Sequence, residues 1–256
     1  MYILFLFVLA FGLLIGSFLN VVIHRVPINK SVVFPKSRCP KCQSAIKWYY
    51  NVPVLGYLFL GGKCADCKNK IPWRYPLVEL LTGIFALLLF PTSLSIHDLA
   101  NYAYLFSVAC IFLCHFVIDI EHHLLPDKIN LYFLFITLPY VMLNFQMHYW
   151  LIGGLVGIGI PYLVTYIFYK LKGQIGLGGG DIKLYGILGL LLGAEGVLHN
   201  LSVSCMLGAI GGLLLLKVRG LGKDTPFAFG PYIIITASVQ IFTPNLWKIV
   251  NPMTWF

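Results

Sequence analysis

Long apolar runs broken by short basic stretches dominate the chain. Residues 1–23, 99–118 and 129–169 contain no Asp, Glu, Lys or Arg. Uncharged runs near 20 residues predict helices that cross a bilayer, because each residue of a helix rises about 1.5 Å through a hydrocarbon core about 30 Å thick. The pattern predicts spans over residues 2–23, 77–96, 99–118, 129–146, 150–169, 181–195, 197–216 and 229–247. Between the first two lies a polar segment, residues 24–75. The sixth span is short. Only residues 184–194 separate Lys183 from Glu195, so either Lys183 snorkels or spans six and seven form a short buried hairpin. The first charge is Arg25, so the opening run reads as a permanent span and not as a cleaved signal with a basic start.

Composition agrees with this reading. The chain of 256 residues is 59% hydrophobic and 11% charged, against about a quarter charged in soluble domains. Its net charge of +9 would suit nucleic acid, but the distribution suits membrane orientation. Loops 24–75, 119–128, 170–183 and 217–224 hold 17 of the 18 Lys and Arg, and only Lys248 lies elsewhere. Eight crossings put those loops on one side, which the positive-inside rule makes cytoplasmic, with both termini outward. The partners implied are a bilayer and its anionic headgroups rather than nucleic acid.

Cys39-Pro40-Lys41-Cys42 and Cys64-Ala65-Asp66-Cys67 are two C-x-x-C knuckles with 21 residues between them. Four thiolates so spaced can close a tetrahedron around zinc. A segment of about fifty residues buries little core of its own, and metal binding would supply folding energy. Cys39, Cys42, Cys64 and Cys67 are therefore expected to hold a structural zinc, with no open position for water. Cys110, Cys114 and Cys205 fall in spans and read as packing residues.

Two carboxylates stand at span ends on the basic side. Asp119 closes the third span, and Asp181 opens the sixth behind Gly176-Leu177-Gly178-Gly179-Gly180. Ionisable groups at that depth are costly and point to function. Paired carboxylates share a proton, so one acts as base on water and the other as acid. Gly178 and Gly180 permit close backbone approach of an extended substrate. Glycine-rich helix starts also suit phosphate, but the run lacks a Walker pattern and Asp181 would repel it. A metal site at Asp119, Glu121, His122, His123 and Asp127 is disfavoured, since successive helical residues point about 100° apart. Two other classes stay open. One is a carboxylate-coupled transporter. The other is a non-catalytic scaffold stabilised by zinc.

The chain resembles the bacterial type IV prepilin peptidases, bifunctional leader peptidase/N-methyltransferases of the GxGD aspartic class. Gly178-Gly179-Gly180-Asp181 matches Gly-x-Gly-Asp, and Asp119 in the Ile118-Asp119…Leu125-Pro126-Asp127 frame matches the first catalytic position. Gly16-Ser17-Phe18-Leu19-Asn20 through Arg25 is similar to the opening motif, Tyr75-Pro76-Leu77-Val78-Glu79 follows the zinc segment as in the family, and Pro226-Phe227-Ala228-Phe229-Gly230-Pro231 is similar to a late motif. Glu121 stands where many members have a second Asp. The resemblance implies an all-α polytopic membrane protein of about eight transmembrane helices, with a small cytoplasmic zinc domain between helices 1 and 2. The expected divisions are 1–23, 24–76 and 77–256. It also implies an inner-membrane endopeptidase that cuts the basic leader of prepilins and pseudopilins after glycine at the cytoplasmic face. The new N-terminus would then be methylated from S-adenosylmethionine. Glu79, uncommon in an apolar span, is offered for the methyl-transfer region. The oligomeric state stays open.

Overall fold

The computed structural model describes residues 2–174, 176–219 and 227–244. Pro226 of the late motif, Lys223, Asp224 and Lys248, and the last part of the eighth expected span lie outside the described residues. The protein is all-helical: α1 Tyr2–Arg25, α2 Leu55–Phe59, α3 Arg74–Leu88, α4 Ile96–His122, α5 Asp127–Asn144, α6 Met147–Lys172, α7 Gly179–Arg219 and α8 Gly230–Phe242. A 3-10 turn, Trp48–Asn51, precedes α2. The chain packs as two units, Met1–Cys114 and His115–Phe256.

Among the described residues, four helices, α1, α4, α6 and α7, are long and apolar enough to cross a membrane. Large apolar side chains face outward on them, with Phe7 at 70% and Leu155 at 72% of full exposure. In water such surfaces would aggregate, and in lipid they are solvated. Expected and observed bounds differ most at the second span. Of residues 77–96, only 77–88 are helical in α3, Arg74–Leu88, and Ile96 already opens α4; the 15 residues of α3 rise about 22 Å. Pro91-Thr92-Ser93 follows, and a proline restricts the residue before it and cannot continue the hydrogen-bond ladder.

α7 is two helices joined at a break. Gly193 has φ 70° and ψ 178°, a backbone state that a side chain rarely tolerates. The Tyr185 hydroxyl lies 2.7 Å from Ser204 Oγ. In a straight helix those residues would stand about 28 Å apart. The limbs, residues 179–192 and 194–219, therefore fold back on each other. Tyr149 of α6 donates its hydroxyl to the Leu192 carbonyl at 2.7 Å, which satisfies an acceptor left by the break. The hairpin explains the short sixth apolar run.

Small residues set the helix spacing in each unit. In the first, Gly12 and Gly16 of α1 press on α3. A Cβ at Gly16 would meet Glu79 Cα at 2.7 Å, and one at Gly12 would meet Gly83 Cα at 2.8 Å. In the second, Gly153 and Gly157 of α6 face Gly189 and Tyr185 of α7 backbone to backbone. Such crossings let helices gain dispersion contact where lipid provides no hydrophobic drive. A buried polar set adds specificity. Asn200 donates to Gln240 Oε1 at 2.8 Å, and Gln240 donates to the Gly196 carbonyl at 2.9 Å, tying the second limb of α7 to α8.

Candidate functional site

Asp119 lies in the last turn of α4, and 5% of its surface is exposed. The Gly230 N–H, at the start of α8, donates to Asp119 Oδ2 at 2.9 Å. A helix N-terminus has unsatisfied N–H groups and a partial positive charge, so it holds a carboxylate well. A Cβ at Gly230 would lie 2.7 Å from Asp119 Oδ2, so a larger residue there would displace that carboxylate. Asp181 lies in the first turn of α7. The Gly178 N–H donates to its Oδ2 at 3.2 Å, and the carboxylate thereby caps its own helix.

Leu125, between α4 and α5, joins the two neighbourhoods. Its carbonyl and Cβ lie 2.8 and 2.9 Å from where a Gly180 Cβ would be, and its Cδ2 is 3.2 Å from a Cβ on Gly230. Gly180 precedes Asp181, and Gly230 bonds Asp119. Asn130 of α5 donates to the Gly180 carbonyl at 3.3 Å. His115, fully buried one turn before Asp119, has Asn130 as a polar neighbour. At the surface, Lys183 pairs with Asp127 at 2.6 Å, but both side chains are mostly exposed, so the pair contributes little stability.

The remaining predicted residues occupy the first unit. The sulfurs of Cys39, Cys42, Cys64 and Cys67 all lie within 4.8 Å of one another. Cys39 and Cys67 are 3.9 Å apart, and Cys42 and Cys64 are 4.0 Å apart. Four sulfurs at the Zn–S length of about 2.3 Å would stand about 3.8 Å apart in a tetrahedron, so the donor set fits that ion. The Ser44 hydroxyl and N–H hold the Cys42 thiol down at about 6, and the Cys67 and Asp66 N–H groups lower Cys64. Both favour the thiolate that a metal needs. Among the described residues this is the one such group. Asp119, Glu121, His122, His123 and Asp127 do not converge. Of the other cysteines, Cys110 and Cys114 are buried, whereas Cys205 is exposed.

The knuckles are copies of one turn, displaced by 25 residues (39 to 64, 42 to 67). Cys39 N–H bonds the Ser44 carbonyl and Cys64 N–H the Asn69 carbonyl. Arg38 bridges Ala45 and Lys63 bridges Lys70. Gln43 and Lys68 both have φ 58°. Sequence reading sees the cysteines but no repeat, since the copies share backbone shape and few side chains. Glu79, also named from sequence, is buried in α3 and accepts the Val54 N–H at 2.7 Å. Gly230 and Asn130 were not expected as neighbours of the acidic site. Gly230 acts through its backbone, which no side-chain pattern marks.

The chain is similar to known proteins along most of its length. Residues 10–92 match the bacterial peptidase A24 N-terminal domain, and residues 104–213 match the type IV leader peptidase family. A Neisseria gonorrhoeae protein named prepilin leader peptidase/N-methyltransferase is 32% identical over 94% of this chain and 91% of its own length. A Pseudomonas aeruginosa protein of the same name is 32% identical over 90% of this chain and 87% of its own. One from Myxococcus xanthus is 35% identical over 95% of this chain and 74% of its own. No solved structure matches the chain. By these matches along nearly all of its length, the chain belongs to the type IV leader peptidase family.

Proposed function

We propose that this protein is an inner-membrane endopeptidase that removes the basic leader of type IV prepilins and pseudopilins after glycine. We also propose that it methylates the new N-terminus from S-adenosylmethionine. In this reading the chain crosses eight times, with the two limbs of α7 counted separately. The loops that hold 17 of the 18 basic residues face the cytoplasm. Residues 24–76 are the zinc domain, and 77–256 the peptidase. A prepilin's apolar helix lies among the spans, and its basic leader reaches Asp119 and Asp181.

The observation that carries the reading is the Leu125 junction between the Gly230–Asp119 bond and the Gly180–Asp181 turn. One oxygen of each carboxylate is engaged by a backbone N–H. The other oxygens serve water and the shared proton. One carboxylate takes a proton from water as its oxygen attacks the peptide carbonyl. The other protonates the departing amine. Gly178, beside Asp181, is the better placed glycine to border substrate, since Leu125 fills the bare side of Gly180.

Purified protein in lipid, supplied with a prepilin, is expected to release a leader ending in glycine, read by mass spectrometry. An intact prepilin after long incubation with folded protein would reject the peptidase. Ion flux in pilin-free proteoliposomes would favour the transporter. Normal pilus assembly by a chain lacking both carboxylates would favour the scaffold.

Cys39, Cys42, Cys64 and Cys67 would hold zinc, which supplies a cross-link and no chemistry on the substrate. Cys39→Ser is expected to reduce bound zinc from one per chain to well below it. It is also expected to make residues 24–76 cleavable by added protease. Unchanged zinc in elemental analysis of that variant would contradict the ligand set.

A further inference from the structure

Two buried polar side chains stand behind the acidic site in the second unit, and the cleavage chemistry uses neither. His115 of α4 has no exposed surface, and Asn130 of α5 is 3% exposed. A buried polar group is costly unless it is hydrogen-bonded, so packing alone does not account for either residue type. Asn130 Nδ2 donates to the Gly180 carbonyl at 3.3 Å. That carbonyl is only an acceptor, so the amide turns its nitrogen toward it and its oxygen away. The oxygen, Oδ1, is buried with no bond of its own, and so are both ring nitrogens of His115, the polar neighbour of Asn130. Whatever its tautomer, an imidazole carries an N–H. The two residues therefore hold the complementary halves of one hydrogen bond, which a small side-chain rotation closes.

The placement of this pair matters more than its strength. His115 precedes Asp119 by one turn, and residues four apart share a helix face. Gly180 precedes Asp181. The Gly180 carbonyl lies in the same rigid peptide plane as the Asp181 N–H and Cα, so whatever orients the carbonyl orients the root of the Asp181 side chain. The bare side of Gly180 already meets Leu125, whose carbonyl would lie 2.8 Å from a Cβ there. Leu125 limits how close the turn comes, and Asn130 sets its rotation.

We propose that His115 and Asn130 are positioning residues for the peptidase: the His115 N–H donates to Asn130 Oδ1, and the amide so held fixes the Gly180–Asp181 peptide plane relative to the helix that carries Asp119. The assignment rests on the peptidase reading above and extends it to the groups behind the carboxylates. Neither residue touches the reacting atoms, and the bridge moves no proton. An amide bonded on one side swings about its Cβ–Cγ bond. One bonded on both sides does not, and the turn it holds keeps one orientation.

The test uses the full chain in lipid with a prepilin and reads kcat and KM for leader release. Asn130→Ala removes the donor to Gly180. Its kcat is expected to fall about 10²-fold, the scale of a misplacement of about 1 Å. Its KM is expected to stay within about twofold of the parent's, because the contacts that bind substrate remain. His115→Phe keeps a ring of similar size without an N–H, and its kcat is expected to fall about tenfold. His115→Gln returns a side-chain N–H and is expected to recover most of that loss. The double variant is expected to be no slower than Asn130→Ala, since both changes act through one bond. A parental kcat in Asn130→Ala or in His115→Phe overturns the assignment. So does an equal loss in His115→Phe and His115→Gln, which would leave ring packing as the whole effect. Should Asn130→Ala fail to fold, the two His115 variants decide by that same comparison. If the wild-type protein leaves prepilin intact, the peptidase reading itself fails. Cleavage by the wild type with unchanged variants removes the bridge alone.

Discussion

Asp181→Asn is expected to lower the rate of prepilin cleavage by about 10³-fold or more, and Asp119→Asn to do the same. The magnitude follows from the chemistry. A lone carboxylate beside an amide has no partner with which to divide the roles of base and acid, and each role is worth about 10²–10⁴-fold. The double variant is expected to be no worse than either single one, because parts of one machine are not additive. Asn retains an oxygen that can accept the Gly178 N–H at Asp181 or the Gly230 N–H at Asp119. Both proteins should therefore insert and unfold as the parent does. Their loss would then lie in the chemistry and not in the fold. Methylation of a pilin supplied already cleaved is expected to survive, since Glu79, the residue offered for methyl transfer, belongs to the other packing unit. The check is a time course of leader release at matched protein levels. Cleavage by Asp181→Asn at even a tenth of the parental rate would remove Asp181 from the reaction.

What was legible in the sequence was what is local or rare. A cysteine pair three apart announces itself, because one turn presents both sulfurs. Asp119 and Asp181 stand out because charge is scarce in apolar runs. The spans were legible as runs of length and hydropathy, but their ends were not. The hairpin at Gly193 shows why. Its sequence, Leu192-Gly193-Ala194-Glu195-Gly196, is compatible with a continuing helix or with a break. The choice is made by Tyr149, more than forty residues away, which packs on Gly193 and bonds the Leu192 carbonyl. The same holds for the acidic site. Gly230 donates to Asp119 across 111 residues of chain, and its N–H carries no mark in the sequence. Helix-to-helix spacing was hidden for a related reason. Glycines at 12 and 16, or at 153 and 157, lie on one helical face, yet sequence alone does not say which face meets another backbone.

Gly189→Val is expected to be the most destabilising single change in the membrane part. A Cβ at Gly189 would strike the carbonyl group of Gly153, and one at Gly153 would strike Gly189 in return. The obstacle on each side is backbone, which cannot rotate away as a side chain does. The helices must separate, and every contact along the crossing loosens. Overpacking in well-filled cores costs about 1–3 kcal/mol and sometimes more. A two-helix displacement belongs at or above the top of that range. Gly159→Ala supplies the contrast on the same α6. Nothing lies within 4 Å of a Cβ at Gly159, and Ala favours a helix over Gly by about 1 kcal/mol. That variant is expected to be as stable as the parent or more so. Thermal unfolding of the two proteins in detergent separates the cases, and equal melting temperatures would contradict the close crossing. The consequence reaches the chemistry through geometry. Gly189 lies in the same limb of α7 as Asp181, two turns along the helix. Pushing that limb away from α6 shifts Asp181 against the Gly230-held Asp119, and a misplacement of about 1 Å can cost about 10²-fold in rate. Any Gly189→Val protein that still folds should therefore lose cleavage before it loses methylation.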